Sequence, residues 1–268
     1  MAFRGLMLCY ILLLPYSLAF ATSPKPVLQL HLMSFNNDNH LYFHELLISS
    51  LKAINQSVSI TIYPETPQTR IIKYLNEGRI SLHWMLQTPT RDTLYTPIRV
   101  NLTGGLIGTR LLLIPKGKAY IYQNINSLGE FRQLPVVGAL GKSWYDAEVW
   151  KANALNYNPL EGDWRQVYKP LALGNRGVDY FPRGVNEILN EAAEHPDLMI
   201  EPRLALIYHR DFIFYLAKPY ISYKDVIEKA LKKAERSGLQ AKLLNKHWGH
   251  TTRTLKLNSR VHLYLETP

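Results

Sequence analysis

Apolar runs of strand length alternate with helix-spaced stretches along nearly the whole chain, and the alternation starts afresh near residue 134. Residues 27–33 form a run of buried-strand type. Residues 42–53 follow with Leu46, Leu47, Ser50 and Leu51 at helical spacing. Residues 58–63 alternate, with Val58, Ile60 and Ile62 on one face. Residues 66–76 read as a short helix stopped at Gly78, and residues 80–86 as a strand. A long extended region, 95–114, is punctuated by Gly104, Gly105 and Gly108. The second half repeats the style. Strands are expected at 134–140, 178–181, 198–208 and 212–216, and helices at 141–154, 184–193, 222–236 and 240–247. The helix at 222–236 is amphipathic, with Val226, Ile227, Ala230, Leu231 and Ala234 on one side. Residues 251–268 are polar and read as a tail or an added edge strand. This rhythm predicts an α/β fold with mainly parallel sheets. At 268 residues and 47% hydrophobic, the chain can bury a sizeable core.

The first 21 residues carry the features of a secretory leader. Arg4 gives a positive start, residues 6–14 are apolar, and Ala19-Phe20-Ala21 is an A-x-A cleavage site. Export and a processed start at Thr22 are expected. The apolar run is short for a full membrane span, and Pro15 interrupts it. Cys9, the only cysteine, lies inside this segment. The processed chain would then contain no disulfide, thiol nucleophile or cysteine metal ligand. A cysteine-free exported chain points to a periplasm.

Charge narrows the partners. Lys plus Arg is 31 and Asp plus Glu is 21, a formal charge of +10. The cations are scattered rather than gathered into an arm, so a nucleic-acid partner is not expected. Motifs for catalysis do not assemble. Gly141-Lys142-Ser143 looks like the end of a P-loop, but the required glycine five residues before Gly141 is Val136. The segment can instead offer backbone N–H groups to an anion, or simply cap a helix through Ser143. No G-x-S-x-G elbow occurs. His40 and His44 share a helix spacing but lack a third ligand, and they read as a solvated helix face. Glu161, Asp163, Asp179 and Glu187 are not paired by spacing. The expectation is a protein without enzymatic activity, cofactor or metal.

Three stretches carry a family resemblance. Residues 70–81 place Leu75, Gly78 and Ser81 at the spacing of an L-x-x-G-x-x-D turn, with Ser in the last position. Residues 83–91 end on Thr88-Pro89-Thr90-Arg91, and residues 106–114 follow. Residues 126–143 form the second stretch. The third is Leu173 to Asp179, with Gly177-Val178-Asp179 at its end. A closing amphipathic helix, Gly238 and Lys246-His247-Trp248-Gly249 complete the order. Together these resemble the type 2 periplasmic solute-binding proteins, the amino-acid-binding branch of ABC transport, over residues 27–249.

The resemblance implies two α/β lobes with a ligand cleft between them. Lobe one would be 26–105 and 216–268 including the tail, and lobe two would be 106–215. Residues 95–114 and 208–216 would be two crossing hinge strands. It implies that Arg91 of the T-x-x-R segment holds a ligand carboxylate beside Thr88, and that Asp179 holds an ammonium. Gly141, Lys142 and Ser143 would offer donors from the opposite wall, and Arg183 a second cation. The chain departs from the family at Ser81, at Leu86 where a hydroxyl is usual, and at Trp84 where a small residue is common. Trp84 is therefore a candidate ligand contact, and Tyr42 or Phe35 a candidate aromatic lid. The implied role is a monomeric periplasmic protein that delivers a small carboxylate-bearing solute to a membrane permease. The alternative is a ligand-sensing module that docks on a membrane signalling receptor.

Overall fold

The computed structural model describes residues 26–35, 40–64, 68–174 and 177–268. The leader segment lies outside the described residues, as do Asn175 and Arg176 of the third family-like stretch.

Lobe one opens with β1 (Leu28–Met33), α1 (Leu41–Ala53), β2 (Val58–Tyr63), α2 (Gln68–Asn76), β3 (Leu82–Leu86), α3 (Pro89–Leu94) and β4 (Thr96–Ile98). β1 and β2 pair in parallel, Leu28 opposite Val58. Ser81 stitches β3 to β1, donating its N–H to the His31 carbonyl at 2.9 Å and accepting the His31 N–H on Oγ at 2.8 Å. Gly78 ends α2 with φ of 68°, a left-handed turn that glycine adopts without strain.

Lobe two holds β5 (Thr109–Pro115), α4 (Leu128–Gln133), β6 (Gly138–Gly141), α5 (Tyr145–Ala152), β7 (Tyr157–Leu160), α6 (Tyr168–Ala172), β8 (Phe181–Gly184), α7 (Ile188–Glu194), β9 (Leu198–Ile200) and β10 (Leu204–Ile207). β11 (Phe212–Leu216), α8 (Lys224–Arg236) and α9 (Leu239–Thr254) return to lobe one, where β11 lies between β3 and β4. β12 (Val261–Tyr264) then crosses back and pairs in parallel with β10 at the edge of the lobe-two sheet.

Each lobe sandwiches its strands between helices. In lobe one, α8 buries Ile227, Ala230, Leu231 and Ala234 of the expected stripe, with Val226 half-buried at its edge, together with Leu46 and Leu47 of α1. Ile71 and Leu75 of α2 cover the other face over Met85 and Ile213. In lobe two, Phe131 and Trp150 pack on one side, and Tyr168, Leu171 and Ile188 on the other. Spacing of 3.6 residues places these apolar groups on the buried faces.

Three expectations are corrected. The sheets are not mainly parallel: β5 runs antiparallel to β8, β9 and β10, and β11 runs antiparallel to β3 and β4. A chain that crosses between lobes and returns must reverse its strand direction, which periodicity does not reveal. The segment 216–268 does not stay with lobe one, because Leu263 and Leu265 enter the lobe-two core. Lobe two also ends earlier than 215, since β11 belongs to the lobe-one sheet from Phe212.

Buried polar clamps hold the hinge. The Asp211 carboxylate accepts Thr103 Oγ1 at 2.5 Å, Gly105 N–H at 2.8 Å and Phe212 N–H at 2.6 Å. Burial pushes its carboxyl up against the pull of those donors. Arg110 grips Asp146 with two N–H groups, at 2.6 and 3.1 Å, and donates to the Tyr208 hydroxyl at 2.7 Å. This ties β5, α5 and the return strand together.

Candidate functional site

In open α/β sheets ligands bind beyond the carboxyl ends of the strands. The candidate site is therefore defined by the ends of β1 and β3 in lobe one, and of β6 and β7 in lobe two.

On the lobe-one side, Leu86 ends β3 and Thr88 caps α3, accepting the Arg91 N–H on Oγ1 at 3.2 Å. Pro89 stands at the first turn, where its missing N–H costs nothing. This turn folds the Arg91 side chain back, and Nη1 donates to the Leu86 carbonyl at 2.6 Å. Arg91 is half-buried, and desolvation lowers its pKa. Among the described residues no carboxylate lies within ion-pair distance of it. The adjacent acid, Asp92, is already engaged by Tyr215 Oη at 2.8 Å, Gln87 Nε2 at 3.2 Å and Arg99 Nη1 at 3.0 Å.

Phe35, just past β1, is half-buried and meets the Trp84 ring edge-on at 5.5 Å and His83 at 6.1 Å. Trp84 itself stacks on Phe43 at 4.3 Å and packs against the lobe-one core. Tyr42 is not a lid. It is 1% exposed, its ring is tilted against Trp248 at 4.4 Å, and its hydroxyl donates to the Leu102 carbonyl. The resemblance made Tyr42 a candidate by its place after the first strand, whereas its position on α1 turns it inward. His40 and His44 are not a solvated face either: both are buried, with ring centroids 5.1 Å apart. Among the described residues no three metal-ligating side chains converge.

On the lobe-two side, Gly141, Lys142, Ser143, Trp144, Leu160, Glu161, Gly162 and Trp164 line a depression of about 310 Å³. Gly141 lets the Trp144 indole close over this end of β6, since a Cβ there would lie 2.5 Å from the ring. Trp144, not Ser143, is the residue before α5, and no side chain caps that helix. Lys142 Nζ pairs with Glu161 at 2.7 Å across the mouth, both largely exposed.

Of the other two implied contacts, Asp179 is not brought here, and Arg183 lies against the Trp144 and Trp164 rings of this wall with its guanidinium already paired. Asp179 pairs with Val137, before the start of β6, while the site lies beyond the end of β6 at Gly141. Its Oδ2 accepts the Val137 N–H at 2.8 Å. Arg183 is buried and bound internally. Glu191 takes its Nε and Nη2 at 2.7 and 2.6 Å, and Glu187 takes Nη2 at 3.0 Å. The rings of Trp144, Trp164 and Phe181 surround the guanidinium at 4.4 to 5.2 Å. Glu187 stands four residues on from Arg183, whereas Glu191 reaches back from the next helix, which spacing does not show.

A larger cavity of about 570 Å³ lies beside the hinge, between α9 and β12. Its lining, which includes Trp248, Asn258 and Tyr264, contains no Lys, Arg, Asp or Glu. Its lining adds His209 and His262, whereas the strand ends offer the always-charged Arg91.

No protein-family model matches the sequence, and no curated protein matches it either. Solved structures do match the fold. A structure from the glutathione-import system of Streptococcus mutans superposes with a TM-score of 0.55 at 15% identity, covering 84% of this chain and 96% of that one. An amino-acid ABC transporter substrate-binding protein from Streptococcus pneumoniae, bound to L-arginine, gives 0.53 at 16% identity over 84% and 95%. An ancestral arginine-binding protein bound to arginine gives 0.52 at 14% identity over 84% and 99%. The chain therefore has the two-lobed type 2 periplasmic-binding fold. Among the described residues no helix is long and apolar enough to cross a membrane.

Proposed function

We propose that this chain is a periplasmic solute-binding protein that closes its lobes on a small carboxylate-bearing solute and hands it to an ABC-type membrane permease. The observation that carries the reading is Arg91: a half-buried guanidinium at a strand end, without a carboxylate partner among the described residues. Its planar donors suit a carboxylate. Thr88 sets its turn, and the Trp144 and Trp164 indoles with Gly141 to Ser143 supply the opposite wall. A solute that bridges both walls binds the closed state better and shifts the population towards it. The protein is a binder in this reading, not a catalyst. Mass spectrometry of the purified protein identifies the co-purified solute, and small-angle scattering then compares the solute-free and saturated forms. A smaller radius of gyration on saturation is expected. An unchanged radius with bound solute overturns the closing-cleft reading.

A further inference from the structure

We infer that the outer edge of β2 pairs with β2 of a second copy of this chain, antiparallel and centred on Ile60, in place of the single copy that the resemblance implies. Among the described residues β2 pairs only with β1. That ladder runs from the Leu28 N–H on the Ser57 carbonyl, at 3.0 Å, to the Ser34 N–H on the Tyr63 carbonyl, at 3.2 Å. Backbone groups alternate sides along a strand, so Ser59 and Thr61 also face β1. Val58, Ile60 and Ile62 therefore turn their N–H and C=O groups outward, and no described residue bonds them there.

The edge lacks the devices that keep edges apart, which are charged side chains, proline and bulges. Residues 54–64 carry no charge, proline enters only at Pro64 beyond the strand, and the register with β1 is unbroken from Val58 to Tyr63. A chain of formal charge +10 repels its own copies, and an uncharged strip is where that repulsion is least.

The strand is also complementary to itself. A two-fold axis through Ile60 sets Ile60 against its counterpart, Val58 against the second copy's Ile62, and Ser59 against the second copy's Thr61. The outward residues then exchange about six backbone hydrogen bonds, two for each facing pair. Val58 and Ile60 pack on the lobe-one core, and Ile62 is 56% exposed, so the pairing prolongs the apolar face and covers Ile62. Ser59 and Thr61 are exposed on the other face and meet hydroxyl to hydroxyl. A register centred on Thr61 would set the Val58 carbonyl against Pro64, which has no N–H to donate. One short strand from each copy buries less than the roughly 1,200 Å² of a stable complex, so the dissociation constant should be on the order of 0.1 mM.

Sedimentation equilibrium of the purified protein from about 10 μM to about 1 mM tests this. The mean mass should rise from one copy towards two and stop there, because each copy has one such edge. Ser59→Lys with Thr61→Lys sets like charges opposite one another and should hold the mass at one copy, with the circular dichroism spectrum unchanged. Ser59→Glu with Thr61→Lys sets opposite charges across the same pairs and should associate at least as tightly as the wild-type protein. If the twin-lysine variant fails to fold, the wild-type series and the Glu–Lys variant decide. A one-copy mass throughout the wild-type series overturns the inference. So does growth beyond two copies, association that the twin lysines leave unchanged, or loss of association in the Glu–Lys variant. The pairing involves lobe one alone, so its failure leaves the solute-binding reading intact.

Discussion

Gly108 and Tyr208 meet backbone to backbone where the two hinge strands cross. The Tyr208 N–H donates to the Gly108 carbonyl at 3.1 Å. A Cβ on Gly108 would overlap the Tyr208 carbonyl oxygen and lie 2.9 Å from that of Arg210. Neither obstacle is a flexible side-chain tip, so the strands themselves must part. Gly108→Ala should therefore destabilise the protein by about 2 kcal/mol or more. The urea midpoint measures it, and an unshifted midpoint would show that the crossing has slack.

Arg91→Ala should cut affinity for the co-purified solute by about 30-fold or more, since a desolvated charge loses its partner. Stability should fall by only about 1 kcal/mol, the worth of the hydrogen bond to the Leu86 carbonyl. Arg91→Lys should recover little, because an ammonium lacks the two-pronged contact. Wild-type affinity in a folded Arg91→Ala protein would remove Arg91 from the site.

Arg183 has a structural role that can be separated from binding. Glu191→Gln leaves Arg183 buried among rings with only Glu187 as counter-ion. Loss of a charged, multiply bonded partner should cost about 2 kcal/mol or more. Solute affinity should stay within about twofold, well under the tenfold that 1.4 kcal/mol would bring. A large affinity loss at unchanged stability would return Arg183 to the cleft.

Acid should weaken lobe one through its buried imidazoles. Burial, with His40 nearby, pushes His44 down to about 4, and burial, with His44 and Arg91 nearby, pushes His83 down to about 3. Above pH 6.5 both are neutral folded or unfolded, and they add no pH dependence. Below it the unfolded chain takes up protons that the native state refuses, so stability falls as pH drops from 6.5 towards 4. The loss should be on the order of 3 kcal/mol for each imidazole across that window. His44→Gln keeps a neutral polar side chain and should flatten the slope. Parallel urea midpoints for the two proteins at pH 7, 5.5 and 4.5 would refute it.

Much of this structure is readable in the chain because the information is local. The Ile227, Ala230, Leu231, Ala234 stripe and the Thr88-Pro89-Thr90-Arg91 turn each rest on spacing or capping within a few residues. What could not be read is pairing at long range. The Asp179 side chain looks the same in sequence whether it faces a cleft or the Val137 N–H. Arg183 looks like a free cation until Glu191 is placed over it. The aromatic lining of the far wall, Trp144 and Trp164, is scattered over twenty residues of chain and has no motif.

The third crossing was half legible: residues 251–268 read as a tail or an added edge strand, and β12 is that edge strand, but on the lobe-two sheet. Val261 to Tyr264 pair with Leu204 to Ile207, and Leu263 reaches the core beside Leu112 and Leu206. Asn153 clamps the chain beyond, donating Nδ2–H to the Glu266 carbonyl at 2.8 Å and accepting the Glu266 N–H on Oδ1 at 2.8 Å. A strand held at both points restrains how far lobe two can swing from α9. Leu263→Ala removes a fully buried side chain and should cost about 3 kcal/mol. Asn153→Ala should cost about 2 kcal/mol, since two backbone groups lose their partner. With both changes the β12 strand should release from its edge. The solute-free protein should then open wider, seen as a larger radius of gyration, with faster amide exchange along Leu204–Ile207 than along Leu82–Leu86. A double variant with the wild-type radius and unchanged exchange at β10 would mean that β12 lies on the sheet without restraining the hinge.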